Sequence, residues 1–518
     1  MSGPGQAIPR SRPVQDIRPS RETPQARENR IVAIIWKDED PGLPIEFGQC
    51  SNGEYDPEPL RLERIEAERI ARSNIDEAIT ASGLTRRQFL RSASALAICL
   101  SAIDLSVSQA LGLPSGIWYP FDPISRLDTE AARAVLGPYE FVFDVQGHLL
   151  EYDLDPSTRG DWFWGRQFPQ ARCQDEDDPR ACFAANHFLE EIFIRSDTTM
   201  VALSGLPINP EGSPLSNEVM EETRALVQAL SGDERLVVNA LALPQTAPVA
   251  SVAEEMERTV AENRISGWKT FTHFPSDTHW WLDDHDPDLP QVGGPFLEKL
   301  VDLETPILFV HKGLSGESTY GSPRDIGPAA RDHPEISFVV YHSGFEVARR
   351  EGPYSADTAD VGVNRLITSL RDAGIGPGEN VYAEIGSTWW HLLRRPDEAA
   401  HVLGKLLVAF GDERILWGTD SIFYGSPQGQ IDAFRAFQIP VEYQERFGYP
   451  ELSRASKARI LGWNAANLYG IEPIREPVGF TRTEIEEARV EHPVPTMTWG
   501  PRTVAEVREF RLHHQGWP

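Results

Sequence analysis

Five short apolar runs, each closed by a polar side chain of the metal-ligand type, constrain the fold of this 518-residue chain more than any other feature. They lie at residues 141–148, 307–311, 338–342, 381–384 and 415–420, and the polar residues that close them are Gln146 with His148, His311, His342, Glu384 and Asp420. Unalternating apolar runs of this length are typical of strands buried on both faces, as in a parallel sheet or barrel. Side chains at the carboxyl ends of barrel strands are where (β/α)8 barrels carry out their chemistry. Several imidazoles and a carboxylate that converge there predict a divalent-metal site.

Three further apolar runs, at residues 199–203, 235–239 and 267–271, bring the number of predicted strands to eight. Helical patterns separate the strands, for example at residues 252–264, 296–303, 365–373 and 399–410. Eight strands that alternate with helices predict a closed (β/α)8 TIM barrel of the α/β class over residues 137–471. The predicted strand ends, in chain order, are Gln146, Leu203, Asn239, Lys269, His311, His342, Glu384 and Asp420.

The two ends of the chain differ from this central pattern. Residues 1–30 are rich in Pro, Arg, Gln and Ser and predict a disordered tail. Residues 31–110 form a predicted N-terminal extension, with a strand near 30–36 and a solvated amphipathic helix at 60–82. Residues 472–518 predict a Pro-rich C-terminal tail with one helical piece near 483–489. The barrel is thus expected to carry an N-terminal extension and long insertions on its top face.

The overall charge argues against several classes of partner. The chain has a formal net charge of -29 at pH 7. Nucleic acid requires a basic surface, and anionic membranes repel a protein this acidic. No apolar run reaches the ~20 residues that span a bilayer. We therefore expect no nucleic-acid or membrane partner. A small-molecule substrate and a homodimer are further expectations, which do not follow from the charge.

A short basic segment followed by an apolar one suggests export. Arg86 and Arg87 precede the moderately apolar residues 93–103, and small residues follow at 108–110. The block resembles a twin-arginine export signal, which implies a periplasmic protein whose mature chain begins near Leu111. The roughly 85 preceding residues, and Asp104 directly after the apolar stretch, favour the alternative of a cytoplasmic protein. In that alternative a helix near residues 89–100 packs against the barrel or a second subunit.

The interpretation of the four cysteines depends on the same choice. Removal of the segment up to about residue 110 would leave Cys173 and Cys182, which flank a polar stretch and can pair in an oxidising compartment. In the cytosol the same residues would be ordinary thiols. The spacing C-x-x-C does not occur, so a cysteine-based zinc or redox site is not expected.

The ordered set of strand-end residues resembles the amidohydrolase-related family of the metal-dependent hydrolase superfamily. Members carry His-x-His after strand 1, Gly-x-Lys on strand 4, His after strands 5 and 6, and Asp after strand 8. This chain has Lys269 in a Gly-Trp-Lys, His311, His342, Asp420 in a Gly-Thr-Asp, and the closing motif Asn-Ala-x-x-Leu-Tyr-Gly at 464–470. The likeness covers residues 141–471 and implies a TIM-barrel metal enzyme.

The strand-1 motif departs from the family, since Gln146-Gly147-His148 stands where His-x-His is expected. An amide oxygen is a neutral, harder and weaker ligand for zinc than an imidazole nitrogen. The resemblance still implies metal ligands at His148, His311 and Asp420, with Gln146 facing the same space and water completing the shell. Zinc is the expected ion, and manganese or iron is the alternative that an oxygen ligand would favour.

The resemblance also assigns the catalytic roles. His342 or Asp420 is expected to accept a proton from a metal-bound water. Lys269 and Glu384 are additional site residues, which would join the ligands in a dinuclear or redox-active variant. Some of these side chains have a structural alternative, such as a buried ion pair for Lys269 or a helix cap for Asp420.

Three functions stay open from the sequence. The favoured one is hydrolysis of an amide, ester or lactone; the others are non-oxidative decarboxylation of an aromatic acid and a metal-depleted barrel that serves as an assembly subunit. Tryptophans at residues 162–164, 280–281 and 389–390 predict flat apolar walls that suit an aromatic substrate. Lys312, Arg394 and Arg395 are candidates to neutralise a substrate carboxylate.

Overall fold

The computed structural model describes residues 42–48, 55, 58–137, 140–150, 179–206, 215–273, 279–316 and 318–491. The chain divides into two compact units, Met1–Gly42 and Leu43–Pro518, and Gly42 is the one described residue of the first. The predicted tail at 1–30 and the predicted strand near 30–36 lie outside the described residues, as does the end of the chain after residue 491.

Eight parallel strands form one sheet whose order follows the chain. The strands are β1 Val142–Gly147, β2 Thr198–Ser204, β3 Leu236–Leu241, β4 Gly267–Phe271, β5 Ile307–His311, β6 Ser337–Tyr341, β7 Val381–Glu384 and β8 Ile415–Leu416. Nearly every strand residue is buried, because one face of each strand fills the barrel and the other faces the helices. The prediction of a (β/α)8 barrel is confirmed.

Backbone hydrogen bonds join the first strand to the segment that follows the last one. The Asp420 N–H donates to Gln146 O (3.0 Å), and the His148 N–H donates to Ser421 O (2.6 Å). Gly147 pairs in parallel with Ser421 between these two bonds. The seam that closes the barrel therefore consists of the backbone of predicted site residues.

Helices connect the strands, and further helices precede the first strand and follow the last one in the chain. They are α1 Leu62–Ser82, α2 Arg86–Leu90, α3 Ala93–Leu111, α4 Thr129–Leu136, α5 Ala185–Leu189, α6 Asn217–Ser231, α7 Val249–Glu262, α8 Gly293–Asp302, α9 Ile326–Asp332, α10 Asn364–Ala373, α11 Thr388–Leu392, α12 Pro396–Phe410, α13 Gln428–Ala436, α14 Val441–Phe447, α15 Arg454–Ala458, α16 Asn464–Tyr469 and α17 Arg482–Ala488. Helix α6 shows typical boundaries: the Ser216 hydroxyl accepts the Val219 N–H at its start, and left-handed Gly232 (φ 77°) ends it.

Several predicted strand ends differ from the structure. Asn239 and Lys269 each lie two residues before the end of their strand, β3 and β4 respectively. His342 follows β6 directly, and Asp420 lies beyond β8, which is only two residues long. The apolar run around Asp420 is longer than the strand because the segment after β8 is buried at the seam without regular ladder pairing.

The described part of the N-terminal extension contains α1, α2 and α3, which form a helical layer together with α4. Helix α3 is its core: Ala95, Leu96, Ile98, Cys99 and Leu100 are each at most 4% exposed. It packs against α1, α4 and α12. Within the described ranges α3 is the one helix long and apolar enough to cross a membrane, and 72% of its apolar window is buried in the fold. Core helices of globular proteins meet the same criterion, so this finding is weak evidence for a membrane span.

Asp104 has a structural task in this layer. Its carboxylate accepts the backbone N–H groups of Gly116, Trp118 and Tyr119, the last two at 2.9 Å. The charged residue that follows the apolar segment thus fixes the chain that leaves α3. This packing is what we expect if the helix near residues 89–100 is retained in the folded protein. The cellular compartment stays a prediction.

Cys182 is disulfide-bonded. Its predicted partner, Cys173, lies outside the described residues. The pairing of Cys173 with Cys182 therefore stays a prediction.

We expect Asp104→Ala to lower the free energy of unfolding by about 3 kcal/mol, because the buried N–H groups of Trp118 and Tyr119 would lose their acceptor. Urea unfolding of the full chain measures this change. Asp76→Ala is the control: it removes an exposed carboxylate of α1 that pairs with Arg86, and should change stability by less than about 0.5 kcal/mol. Equal effects of the two substitutions would contradict the role of Asp104.

Candidate functional site

Four predicted site residues meet at the carboxyl end of the barrel. His148 Nε2 lies 3.4 Å from Asp420 Oδ1. The amide nitrogen of Gln146 lies 3.2 Å from the same carboxylate oxygen and 3.5 Å from His342 Nε2. All four residues are at most 3% exposed. They form the core of the candidate site.

Backbone carbonyls fix the orientation of two imidazoles. His148 Nδ1 donates to Ser204 O (2.7 Å) at the end of β2, and His342 Nδ1 donates to Gly386 O (2.7 Å) just beyond β7. Since a carbonyl can only accept, Nδ1 carries the proton in each ring, and in a neutral ring Nε2 keeps its lone pair. A histidine held in this way is prepared to bind a metal or accept a proton through Nε2.

Burial keeps these imidazoles neutral. Loss of hydration lowers the pKa of His148 and of His342 to about 3, and the positive charge of Lys269 adds to this effect. Burial also lowers the pKa of His311 well below its usual value, with His342 and Lys269 as further causes. Neutral imidazole is the form that ligates metals, so the three rings are in the required state at neutral pH.

Asp420 is held by both its backbone and its side chain. Its backbone is left-handed (φ 60°), a conformation that non-glycine residues rarely adopt. Oδ2 accepts a hydrogen bond from the Ser387 hydroxyl. Oδ1 faces His148 and Gln146. Oδ2 is thus held by the Ser387 hydroxyl, and Oδ1 faces the site.

Glu384 supports the turn that carries His342. One carboxylate oxygen, Oε2, accepts the His342 N–H (3.0 Å), and the other accepts the Gly386 N–H. The turn needs such support because His342 and Ser343 both have left-handed backbones (φ 62° and 52°). Burial raises the pKa of Glu384 to about 8. These contacts give Glu384 a positioning role.

Lys269 and His311 lie beside this core. The Lys269 ammonium is 3.3 Å from the centroid of the Tyr341 ring and 4.7 Å from that of Phe271, which is cation–π geometry. The His311 ring stacks on Phe271 (4.8 Å between centroids) and meets the His342 ring edge-on at 4.6 Å. A buried positive charge therefore lies among the rings of the site.

The imidazole, carboxylate and amide groups of the site are suitable ligands for a divalent ion. In the structure, however, the predicted ligands do not form a complete metal-binding cluster. Among the described residues, no group of three or more His, Cys, Asp or Glu side chains is arranged to hold a metal ion. His148 Nε2 and Asp420 Oδ1 are 3.4 Å apart, which suits two ligands of one ion at bond lengths of ~2.1 Å. The buried Gln146 Oε1 has no hydrogen-bond partner within the described structure, so it is available as an oxygen ligand. The set of Gln146, His148, His311 and Asp420 stays a prediction.

The described tryptophans of the predicted aromatic walls pack into the fold. Trp280 is fully buried and meets Phe296 edge-on at 6.0 Å, and Trp389 meets Phe434 in the same way at 5.2 Å. Residues 162–164 lie outside the described residues. Trp280 and Trp389 thus have packing partners on α8 and α13, and the aromatic wall stays a prediction.

The predicted substrate-neutralising cations have partners within the protein. Lys312 forms an ion pair with Asp325 (2.8 Å) in which both side chains are fully buried. Arg395 pairs with Glu58 of the extension, and Arg394 donates to the backbone carbonyl of Glu46 (3.1 Å). These cations balance acceptors of the chain itself, which corrects their predicted role.

Sequence reasoning missed several residues that shape the site. Ser387 holds Asp420, and the Tyr341 hydroxyl donates to Val145 O (2.7 Å) inside the barrel. The His273 ring lies 5.1 Å from that of His311. A search of the first residues after every strand would have found Ser387 and His273, since both follow a strand closely.

These features define the class: a (β/α)8 barrel with a buried His/Asp site at the carboxyl ends of its strands. The amidohydrolase family model matches residues 217–471, from the start of α6 to the end of the closing helix α16. This stretch of the chain therefore resembles the amidohydrolase family. Strand β1, with Gln146 and His148, precedes the matched residues. No curated protein matches the chain.

Solved structures give distant likenesses. A TIM-barrel protein of Bordetella bronchiseptica is 16% identical with a TM-score of 0.41, covering 64% of this chain and 98% of that one. The 5-carboxyvanillate decarboxylase of Novosphingobium aromaticivorans is 13% identical with a TM-score of 0.39, covering 64% and 97%. A Pseudomonas putida structure assigned as a 2-pyrone-4,6-dicarboxylic acid hydrolase is 17% identical with a TM-score of 0.38, covering 65% and 100%.

We expect Gly386→Ala to disturb the site, because a Cβ there would collide with the side-chain oxygens of Gln146 and Glu384. The free energy of unfolding should fall by about 1–3 kcal/mol, as urea unfolding would show. Gly352→Ala is the matched control, since nothing lies within 4 Å of a Cβ at that position. A fully stable Gly386→Ala protein would contradict the close packing of the site.

Proposed function

We propose that the protein is a metal-dependent hydrolase that cleaves an amide, ester or lactone of a small substrate with activated water. The observation that carries the proposal is the meeting of two oriented, neutral imidazoles, His148 and His342, with the Asp420 carboxylate in one buried space. The match to the amidohydrolase family model also supports it, because the matched stretch contains His311, His342 and Asp420 in the order expected of the family.

His148 and Asp420 would hold the ion, with Gln146 Oε1 and His311 as the further members of the proposed set. Zinc is the expected ion, and manganese or iron would suit the amide oxygen better. When bound, a divalent ion lowers the pKa of its water and polarises a substrate carbonyl.

We assign Asp420 as the group that accepts a proton from the attacking water. His342 orients that water by accepting a hydrogen bond from it. An imidazole with a pKa of about 3 is a weak base at neutral pH, whereas its Nε2 lone pair can still accept a hydrogen bond. Asp420 offers Oδ1 to the site while Ser387 holds Oδ2. Burial strengthens the electrostatic effect of Lys269 on any negative charge that develops there.

Non-oxidative decarboxylation of an aromatic acid is the second candidate. The observation that favours it is Lys269, whose ammonium lies between the rings of Tyr341 and Phe271. A buried cation among flat rings suits a substrate that is both aromatic and anionic. The two candidates use the same residues and differ in whether water or a proton is added to the substrate.

Metal content and product analysis of the purified full-length protein test the proposal. We expect about one divalent ion per chain, since the site offers one ligand centre. Turnover of aryl esters or lactones would support the hydrolase, whereas carbon dioxide released from hydroxybenzoates would favour the decarboxylase. A content below ~0.2 ions per chain, without turnover, would favour the assembly-subunit alternative.

Three variants separate metal binding from orientation of the attacking water. His311→Ala and Asp420→Asn should lose most of the bound ion, whereas His342→Gln should keep it and lose about 10–100-fold in kcat. His401→Gln is the control, because His401 lies on α12 and contacts Tyr449 away from the site. Full metal content in His311→Ala would contradict the assignment.

We expect Gln146→His to raise zinc affinity by about tenfold, because imidazole replaces a weaker amide ligand. Manganese affinity should rise less, so that the preference shifts toward zinc. Competition with a chromophoric chelator measures both constants. Gln146→Ala is the control and should weaken binding of both ions; unchanged affinities in both variants would show that residue 146 does not face the ion.

A further inference from the structure

A row of three hydroxyl groups leads from Asp420 to the N-terminal extension. Ser387 Oγ contacts Asp420 Oδ2, and it lies 2.7 Å from the Tyr424 hydroxyl. The Tyr424 hydroxyl in turn lies 2.9 Å from the hydroxyl of Tyr55. We call Ser387, Tyr424 and Tyr55 the hydroxyl chain. Tyr55 is its one member from outside the barrel segment at 137–471.

The direction of the hydroxyl chain follows from proton counting. An ionised carboxylate can only accept, so the single hydroxyl hydrogen of Ser387 points to Asp420. The Ser387 oxygen must then accept from Tyr424, and the Tyr424 oxygen must accept from Tyr55. Each donated bond polarises the next hydroxyl, so Tyr55 strengthens the bond that Asp420 receives.

The surroundings of the hydroxyl chain exclude water and hold its members in place. Tyr55, Tyr424 and Ser387 are 5%, 2% and 0% exposed. The Tyr55 ring meets His391 edge-on at 4.8 Å, and the Tyr424 ring stacks on Trp390 at 4.7 Å. Without competing water, each link keeps its strength in a low-dielectric environment.

The extension is fastened to the barrel around the same helices. Arg61 of the extension forms an ion pair with Glu398 of α12 (2.6 Å). The Tyr119 hydroxyl donates to Leu393 O (2.7 Å), at the junction of α11 and α12. These contacts flank α11, the helix that follows Ser387 and carries Trp390 and His391. The side of the site that Tyr55 completes is therefore built jointly by the barrel and the extension.

We propose that Tyr55 is a positioning residue of the candidate site, which holds the Asp420 carboxylate through Tyr424 and Ser387. The inference rests on the proposed function for the role of Asp420, but the hydroxyl chain itself does not. One consequence concerns the N-terminus: cleavage near Leu111 would remove Tyr55, so the functional protein retains the extension.

The test compares two tyrosines that precede the barrel in the chain and each donate one buried hydrogen bond. Tyr55→Phe removes the terminal link of the hydroxyl chain, and Tyr119→Phe removes only the bond to Leu393 O. In the full-length protein we expect Tyr55→Phe to lower kcat by about 3–10-fold with little change in KM, and to weaken Mn²⁺ binding by a similar factor, as outer-shell substitutions do. Tyr119→Phe should leave kcat and the Mn²⁺ dissociation constant within about twofold of the original protein.

A conservative exchange at Ser387 adds a rescue. Ser387→Cys keeps an unbranched side chain with a weak donor and should retain more of kcat than Ser387→Ala. Ser387→Ala should lose more than Tyr55→Phe, and adding Tyr55→Phe to Ser387→Ala should have little further effect. Equal kcat and Mn²⁺ affinity in Tyr55→Phe and the original protein would overturn the proposal. So would equal losses in the two Tyr→Phe variants, which would indicate a general effect on packing.

A separate measurement distinguishes failure of this inference from failure of the proposed function. If the original protein neither turns over substrate nor binds Mn²⁺, the proposed function fails. The hydroxyl chain is then judged by the urea midpoints of Tyr55→Phe, Ser387→Ala and the double variant. Non-additive losses would support the chain, and additive losses would overturn it.

Discussion

The closure of the barrel between β1 and the segment after β8 is the constraint on which the candidate site depends. Backbone bonds from Asp420 to Gln146 and from His148 to Ser421 complete the barrel wall. The same bonds set the register of the side chains, so that His148 Nε2 and Asp420 Oδ1 face each other at 3.4 Å. The same backbone hydrogen bonds therefore close the barrel and assemble the site. A shift in this seam would open the barrel and separate His148 from Asp420.

Neutral imidazoles and one carboxylate give the site its chemical character, and Gln146 modifies it. In the structure the Gln146 amide nitrogen lies between Asp420 and His342, at hydrogen-bond distance from the carboxylate. Rotation of this amide by half a turn would exchange its nitrogen with Oε1 and offer an acceptor to a cation. An amide that must rotate before it can act as a ligand is compatible with weaker ion binding than the family's His-x-His would give.

Much of the barrel could be predicted from sequence, because buried parallel strands leave unalternating apolar runs such as 307–311 and 338–342. The strand-end rule also located His148, His311, His342 and Asp420. It failed to distinguish a substrate wall from packing, since Trp389 is equally apolar in both settings. The strand-end rule could not predict the link from Asp420 to Tyr55. The contact between Tyr55 and Tyr424 joins segments more than three hundred residues apart and leaves no local sequence pattern.

Anomalous diffraction from crystals of the full-length protein grown with Mn²⁺ is the most direct test of metal binding by His148 and Asp420. We expect one strong anomalous peak within coordination distance, ~2.0–2.3 Å, of His148 Nε2 and Asp420 Oδ1, with Gln146 Oε1 turned toward it. A site without such a peak, in which the Gln146 amide nitrogen still lies between Asp420 and His342, would contradict a metal-dependent function.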